Sequence, residues 1–157
     1  MKYFMLRVMN HADGFGRKLF ENDYISIGYR AFDKQNNLNF IEIYKNTQNK
    51  EVILKENIYK AWKGETIGSH WKLDKFFNFS PEDILLIPDY GCFYLVRVVS
   101  EVISFESIKN EFCLNNEEPD IGFVYKIEKI CSEGIPRKSF ANSKLTARLK
   151  SFLGLLD

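Results

Sequence analysis

The sequence has little of what builds a reactive centre. Its 157 residues hold two histidines, His11 and His70, and three cysteines, Cys92, Cys113 and Cys131. An odd cysteine count with no CxxC spacing excludes a disulfide framework and points to reduced thiols in a cytoplasmic protein. A zinc site would have to draw its ligands from all along the chain. No apolar run approaches the roughly 18 residues of a membrane span. The opening MKYFMLRVMNHADG reads as a strand, not as a signal peptide. Net charge is also missing: 22 Lys+Arg against 21 Asp+Glu leave +1. That excludes a globally basic nucleic-acid protein but not a local basic face.

Motifs for catalysis are equally scarce. There is no GxSxG and no HExxH. Gly14-Phe15-Gly16 lacks the third glycine and the GK[ST] of a phosphate-cradling loop. Restriction-type metal nucleases place an acid two positions before a lysine on one strand. No lysine here has Asp or Glu at that position. Pro88-Asp89 alone is a turn, and His11 and His70 read as surface or capping residues. The expectation is a chain with no catalytic residue, no metal and no cofactor.

What is present suits one globular domain over 1–157, long enough to bury a core without staples. Tyr3–Val8, bounded by a loop from His11 to Gly16, and Tyr24–Tyr29 read as strands, with Phe40–Tyr44 as a third. Asn49–Lys63 reads as a helix, with Leu54, Ile58 and Trp62 on one face and Gly64 as its stop. A short helix follows from a Ser69 cap to Phe77. Ser80-Pro81-Glu82-Asp83 is turn chemistry before three strands, Ile84–Ile87, Phe93–Val102 and Gly122–Ile130. A last helix from about Asn142 aligns Leu145, Leu149, Phe152, Leu153 and Leu156. Three successive strands favour an α+β fold, with an antiparallel or barrel-like sheet flanked by helices. Between Glu101 and Ile121 lie six acids and one base, which reads as an exposed loop. Seven bases and three acids follow from Gly122 onward.

The aromatic share is high, 15%, with 14 Phe and 8 Tyr. Most of these rings belong in a core. Three segments, however, set rings or a proline beside bases: Gly28-Tyr29-Arg30-Ala31-Phe32, His70-Trp71-Lys72 and Ile135-Pro136-Arg137-Lys138. Rings stack on nucleobases at about 1–3 kcal/mol each, while Arg and Lys hold phosphates. Arg137, Lys138, Lys144, Arg148 and Lys150 form a basic segment that is either a solvated helix face or a phosphate contact.

The order of these segments resembles a known family. Met1–Arg7 is similar to the opening strand of the PUA-like modules that precede the nuclease domain of Mrr-type restriction endonucleases. Ile25–Tyr29 resembles their next strand end, with Tyr29 where Trp is usual. His70–Phe76 resembles their short aromatic helix. Ser80–Pro88 resembles their turn and strand, with Glu82 where Gly is usual. Phe93–Val102, Gly122–Ile130 and Ile135–Phe140 with Leu145–Leu149 complete the series. The resemblance covers nearly the whole chain through the order and spacing of individually weak motifs.

The resemblance implies a PUA-like fold, a curved and partly closed β-barrel flanked by helices, related to EVE and YTH modules. It implies a non-catalytic DNA-binding module that recognises a modified, methylated base flipped into an aromatic pocket. Such a module serves as the specificity domain for a nuclease domain in the same chain or complex. Flipping costs a few kcal/mol of stacking, which rings and edge hydrogen bonds offset. By position, Tyr29, Phe32, Trp71 and Tyr90 are the rings. Ser26 and Asp89 bond the base edge, and Arg30, Lys72, Lys75, Arg137 and Lys138 hold phosphates. Two other readings stay open: an RNA-binding module of the same fold, and a protein-interaction domain.

Overall fold

The computed structural model describes residues 1–6, 14–30, 40–61, 70–113 and 116–136. Its elements, in chain order, are β1 (Tyr3–Met5), α1 (Phe15–Glu21), β2 (Tyr24–Ile27), α2 (Phe40–Asn46), α3 (Lys50–Ala61), α4 (His70–Phe77), β3 (Ile84–Pro88), β4 (Cys92–Val98), β5 (Ile103–Ser104), α5 (Lys109–Phe112), β6 (Phe123–Lys129) and β7 (Ile135–Pro136). A single 3-10 turn, Phe105–Ser107, joins β5 to α5. The fold is therefore α+β, as the run of three strands requires.

The seven strands form one mixed sheet in the order β1-β3-β4-β6-β2, with β5 on β6 and β7 on β4. The sheet is open and is not closed into a barrel. All pairings are antiparallel except that of β1 with β3. Two apolar clusters lie on β2 and β6. The larger takes Ile25, Phe123, Tyr125 and Ile127 from the strands and Phe40, Tyr44, Leu54, Leu73, Phe76 and Phe77 from the helices. The smaller gathers Leu19, Phe105, Ile108, Phe112, Ile121 and Val124. Alternation along β2 explains the division: Ile25 and Ile27 meet the larger cluster, Tyr24 the smaller. Buried Tyr125 fixes α4 to the sheet, its hydroxyl 2.9 Å from the carbonyl oxygen of Phe76 and 3.2 Å from that of Phe79.

Three sequence expectations are corrected. Phe40–Tyr44 is helical, not a strand. Phe40 and Tyr44 sit one helical turn apart, both 2% exposed, and both rings meet Phe77 of α4. The residues after Gly14 form α1, since Gly14 at φ +74° starts a helix that buries Leu19 and Phe20. The acid-rich stretch 101–121 is not simply a loop. Its Phe105, Ile108, Phe112 and Ile121 are buried, while Glu101, Glu106, Glu111, Glu117, Glu118 and Asp120 point outward. The expected last helix from about Asn142, and Trp62, lie outside the described residues.

Candidate functional site

Strand polarity decides which expected residues can share a site. β2 is antiparallel to β6, β6 to β4, and β4 to β3. β2 and β3 therefore run in opposite directions, and their C-terminal ends lie at opposite ends of the sheet. Tyr29 and Arg30 follow β2; Asp89 and Tyr90 follow β3. The structure does not bring these two groups together around one base.

At the β2 end, Tyr29 is half-buried against the larger cluster, with φ +68°. Its backbone is held from several sides. The Gly122 N–H donates to the carbonyls of Ile27 and Gly28, both at 3.0 Å, and a Cβ on Gly122 would stand 2.7 Å from the Gly28 and Tyr29 oxygens. The Arg30 N–H donates to Asp120 Oδ1 at 3.2 Å. Arg30 itself is only 8% exposed. Its guanidinium pairs with Glu118 at 2.8 Å and with Glu106 at 3.3 Å. Burial disfavours its charge, but these two carboxylates overcome that and leave its pKa raised. A phosphate would have to displace two carboxylates from a buried cation, which is costly. Arg30, expected from the sequence at a phosphate, is thus paired in the structure with Glu106 and Glu118.

Ser26 belongs to neither end. It pairs with Val124 and, by alternation, faces the smaller cluster while Tyr29 meets the larger. Its hydroxyl is buried, with no hydrogen-bond partner among the described residues.

At the β3 end a different group assembles. The turn from β3 to β4 closes through the Asp89 N–H to the Cys92 carbonyl at 3.0 Å. Asp89 Oδ1 accepts from the Tyr90 N–H at 2.9 Å and from Arg17 Nη2 at 2.8 Å. Arg17 comes from α1, which is seated here by Phe20 against the Tyr94 ring at 5.1 Å between centroids. The Asp89 hydrogen bond raises the Arg17 pKa. Burial raises that of the Tyr94 hydroxyl, as do the neighbouring Cys92 thiol and Asp89. The Tyr90 ring, by contrast, is 89% exposed. β7 pairs Pro136 with Cys92 beside this turn. In the sequence, Pro136 is followed directly by Arg137 and Lys138.

Comparison of the chain with family models, curated proteins and solved structures gives no match. The remaining expected residues are placed as follows. Lys72 and Lys75 are exposed on α4, opposite its buried Leu73, Phe76 and Phe77. Trp71 falls on α4, but its side chain lies outside the described part of the structure. Phe32, Arg137 and Lys138 lie outside the described residues. Among the described residues no three or more His, Cys, Asp or Glu side chains group as metal ligands, and no helix is long and apolar enough to cross a membrane. Arg17 was missed by sequence reasoning because α1 was missed. The signal available was Phe15, Leu19 and Phe20 at helical spacing after a glycine.

Proposed function

We propose that this chain is a non-catalytic nucleic-acid-recognition module that reads a base through the turn Asp89-Tyr90-Gly91. The observation that carries the reading is the Tyr90 ring. It is almost wholly exposed, on a turn whose backbone is fixed by Asp89 on one side and Cys92 on the other. A large ring left in water contributes little to folding, and a held backbone lessens the entropy lost when such a ring stacks. Asp89, 9% exposed as a side chain, and Arg17, 39% exposed, supply a carboxylate and a guanidinium beside it.

The finer reading rests on the resemblance: a DNA duplex, a methylated base flipped from the stack, and a nuclease domain in the same chain or complex. One structural detail supports that resemblance. Glu82, standing where the resembled family usually has glycine, adopts φ +75°, a conformation that glycine takes without steric cost. The base contact proposed here is the Tyr90 ring, on the turn that Asp89 and Arg17 hold. Tyr29, held at the acidic end of the sheet, is left out of it.

The test is a fluorescence-anisotropy titration of three matched duplexes carrying 5-methylcytosine, N6-methyladenine or neither, with an RNA competitor, at two salt concentrations. The reading expects binding that weakens with salt and a preference for one modified duplex. Stronger binding to the RNA competitor would move the assignment to RNA. Absence of nucleic-acid binding at both salts would leave Tyr90 as part of a protein-binding surface.

A further inference from the structure

We infer that Arg17, through its guanidinium, contacts a phosphodiester next to the base at Tyr90, and that Asp89 holds it in place until the nucleic acid arrives. This rests on the reading just given and deepens it.

Among the described residues the Arg17 guanidinium makes one hydrogen bond, from Nη2 to Asp89 Oδ1 at 2.8 Å. Its other donors have no hydrogen-bond partner among the described residues, and the side chain is 39% exposed. A guanidinium carries five donors in a fixed plane, so one edge is held while the rest remain for a second anion. The contrast with Arg30 is direct. That guanidinium is buried and shared by two carboxylates. Arg17 also contributes poorly to its own helix. It stands in the first turn of α1, where no acid is present and a cation opposes the helix dipole. Asp89 offsets that cost, so the pair depends on tertiary structure to exist.

The arrangement has a consequence for affinity. Asp89 fixes Arg17 near Tyr90 but is itself an anion close to where a phosphate would sit. The bound state must therefore tolerate the carboxylate or have Arg17 turn from it. A neutral side chain of the same shape would still accept from Arg17 while removing the repulsion.

The experiment measures the dissociation constant of a short fluorescein-labelled DNA duplex against NaCl concentration for the parent, Arg17→Ala, Arg17→Lys and Asp89→Asn. Thermal melting of each variant accompanies the titrations. Each phosphate contact contributes about 0.9 to the slope of log affinity against log salt. Arg17→Ala should weaken binding and lower the slope by about 0.9. Arg17→Lys should keep the slope. Asp89→Asn should bind more tightly than the parent. It retains an acceptor for Arg17, so it keeps the test decisive even if Arg17→Ala melts early. An unchanged slope in Arg17→Ala, with Asp89→Asn no tighter than the parent, overturns the inference. If Tyr90→Ala abolishes binding while Arg17→Ala keeps the parent's slope, only the assignment of Arg17 falls. If the parent binds no duplex at any salt, both fall.

Discussion

Gly122→Ala should be strongly destabilising, because the added methyl meets backbone. Gly122 lies where β6 begins and meets the chain leaving β2. Its N–H donates to the Ile27 and Gly28 carbonyls, and its own carbonyl accepts from the Phe105 N–H at 2.8 Å. A Cβ there would stand 2.7 Å from two backbone oxygens and 2.8 Å from the Tyr29 carbonyl carbon. Backbone cannot turn aside as the end of a side chain can, so β2 and β6 must part by several tenths of an ångström. Overpacking of this kind costs about 1–3 kcal/mol, and weakening the shared hydrogen bond adds about 1 kcal/mol. A total near 3 kcal/mol should lower the melting temperature by roughly 6–12 °C for a chain of this length. Gly28→Ala is the control. Its Cβ would meet the exposed Asp120 carboxylate at 3.2 Å, and that side chain can rotate away. Its expected loss is about 1 kcal/mol or less. Circular dichroism melts of both variants test the argument. A Gly122→Ala melting point within about 2 °C of the parent would refute the close approach of β2 and β6.

The other predictions concern single polar or strained groups. Ser26→Ala should leave stability unchanged or raise it by up to about 1 kcal/mol, because the Ser26 hydroxyl is buried without a described partner; a clear loss in urea denaturation would contradict this. Glu82→Gly should raise stability by about 0.5–1 kcal/mol by relieving the left-handed backbone, since the exposed 3.6 Å contact of Glu82 with Arg97 offers little in return. Tyr125→Phe should cost about 1–2 kcal/mol, as the buried Phe76 and Phe79 carbonyls both lose the hydroxyl as a donor. Tyr44 and Tyr125 have pKa values raised mainly by burial, with Asp74 adding to the effect at Tyr44. Their neutral forms therefore favour the fold fully below the ordinary tyrosine pKa near 10, and that contribution is lost as pH rises above it. In an ultraviolet titration these two of the eight tyrosines should ionise only as the protein unfolds in alkali. Full ionisation with the fold intact would contradict that.

Much of the fold was legible because local pattern and tertiary environment agree. The strand Ile84–Ile87 and the alternation of Gly122–Ile130 appear where the sequence places them, and so does the helix ending in Phe77. Phe40–Tyr44 reads as a strand because a five-residue, mostly apolar run fits either period. The rings of Phe77 and Phe123, distant in sequence, select the helical one. The charge of 101–121 hid buried Phe105, Ile108 and Phe112, which are spaced among the acids.

The candidate site was legible in its residue types but not in its grouping. Tyr29 and Asp89 both end strands and look equivalent in sequence. The direction of each strand in the sheet separates them, and direction depends on pairings that no local motif encodes. Arg30 beside an aromatic residue looks like a phosphate clamp until Glu106 and Glu118, far along the chain, fold against it. Arg17 shows the reverse: its helix had a local signal in Phe15, Leu19 and Phe20, but Arg17 itself gains meaning only from Asp89, 72 positions away.

The central claim is that Tyr90 reads a base, and Tyr90→Ala tests it most directly. The ring is 89% exposed, so its removal should leave the melting temperature unchanged. Anisotropy titrations of the parent and Tyr90→Ala against the methylated and unmethylated duplexes should give a preference in the parent that the variant lacks. Loss of one stacked base, about 1–3 kcal/mol, corresponds to roughly five- to 150-fold weaker binding of the preferred duplex. A variant that melts like the parent and binds every duplex as the parent does would contradict the account.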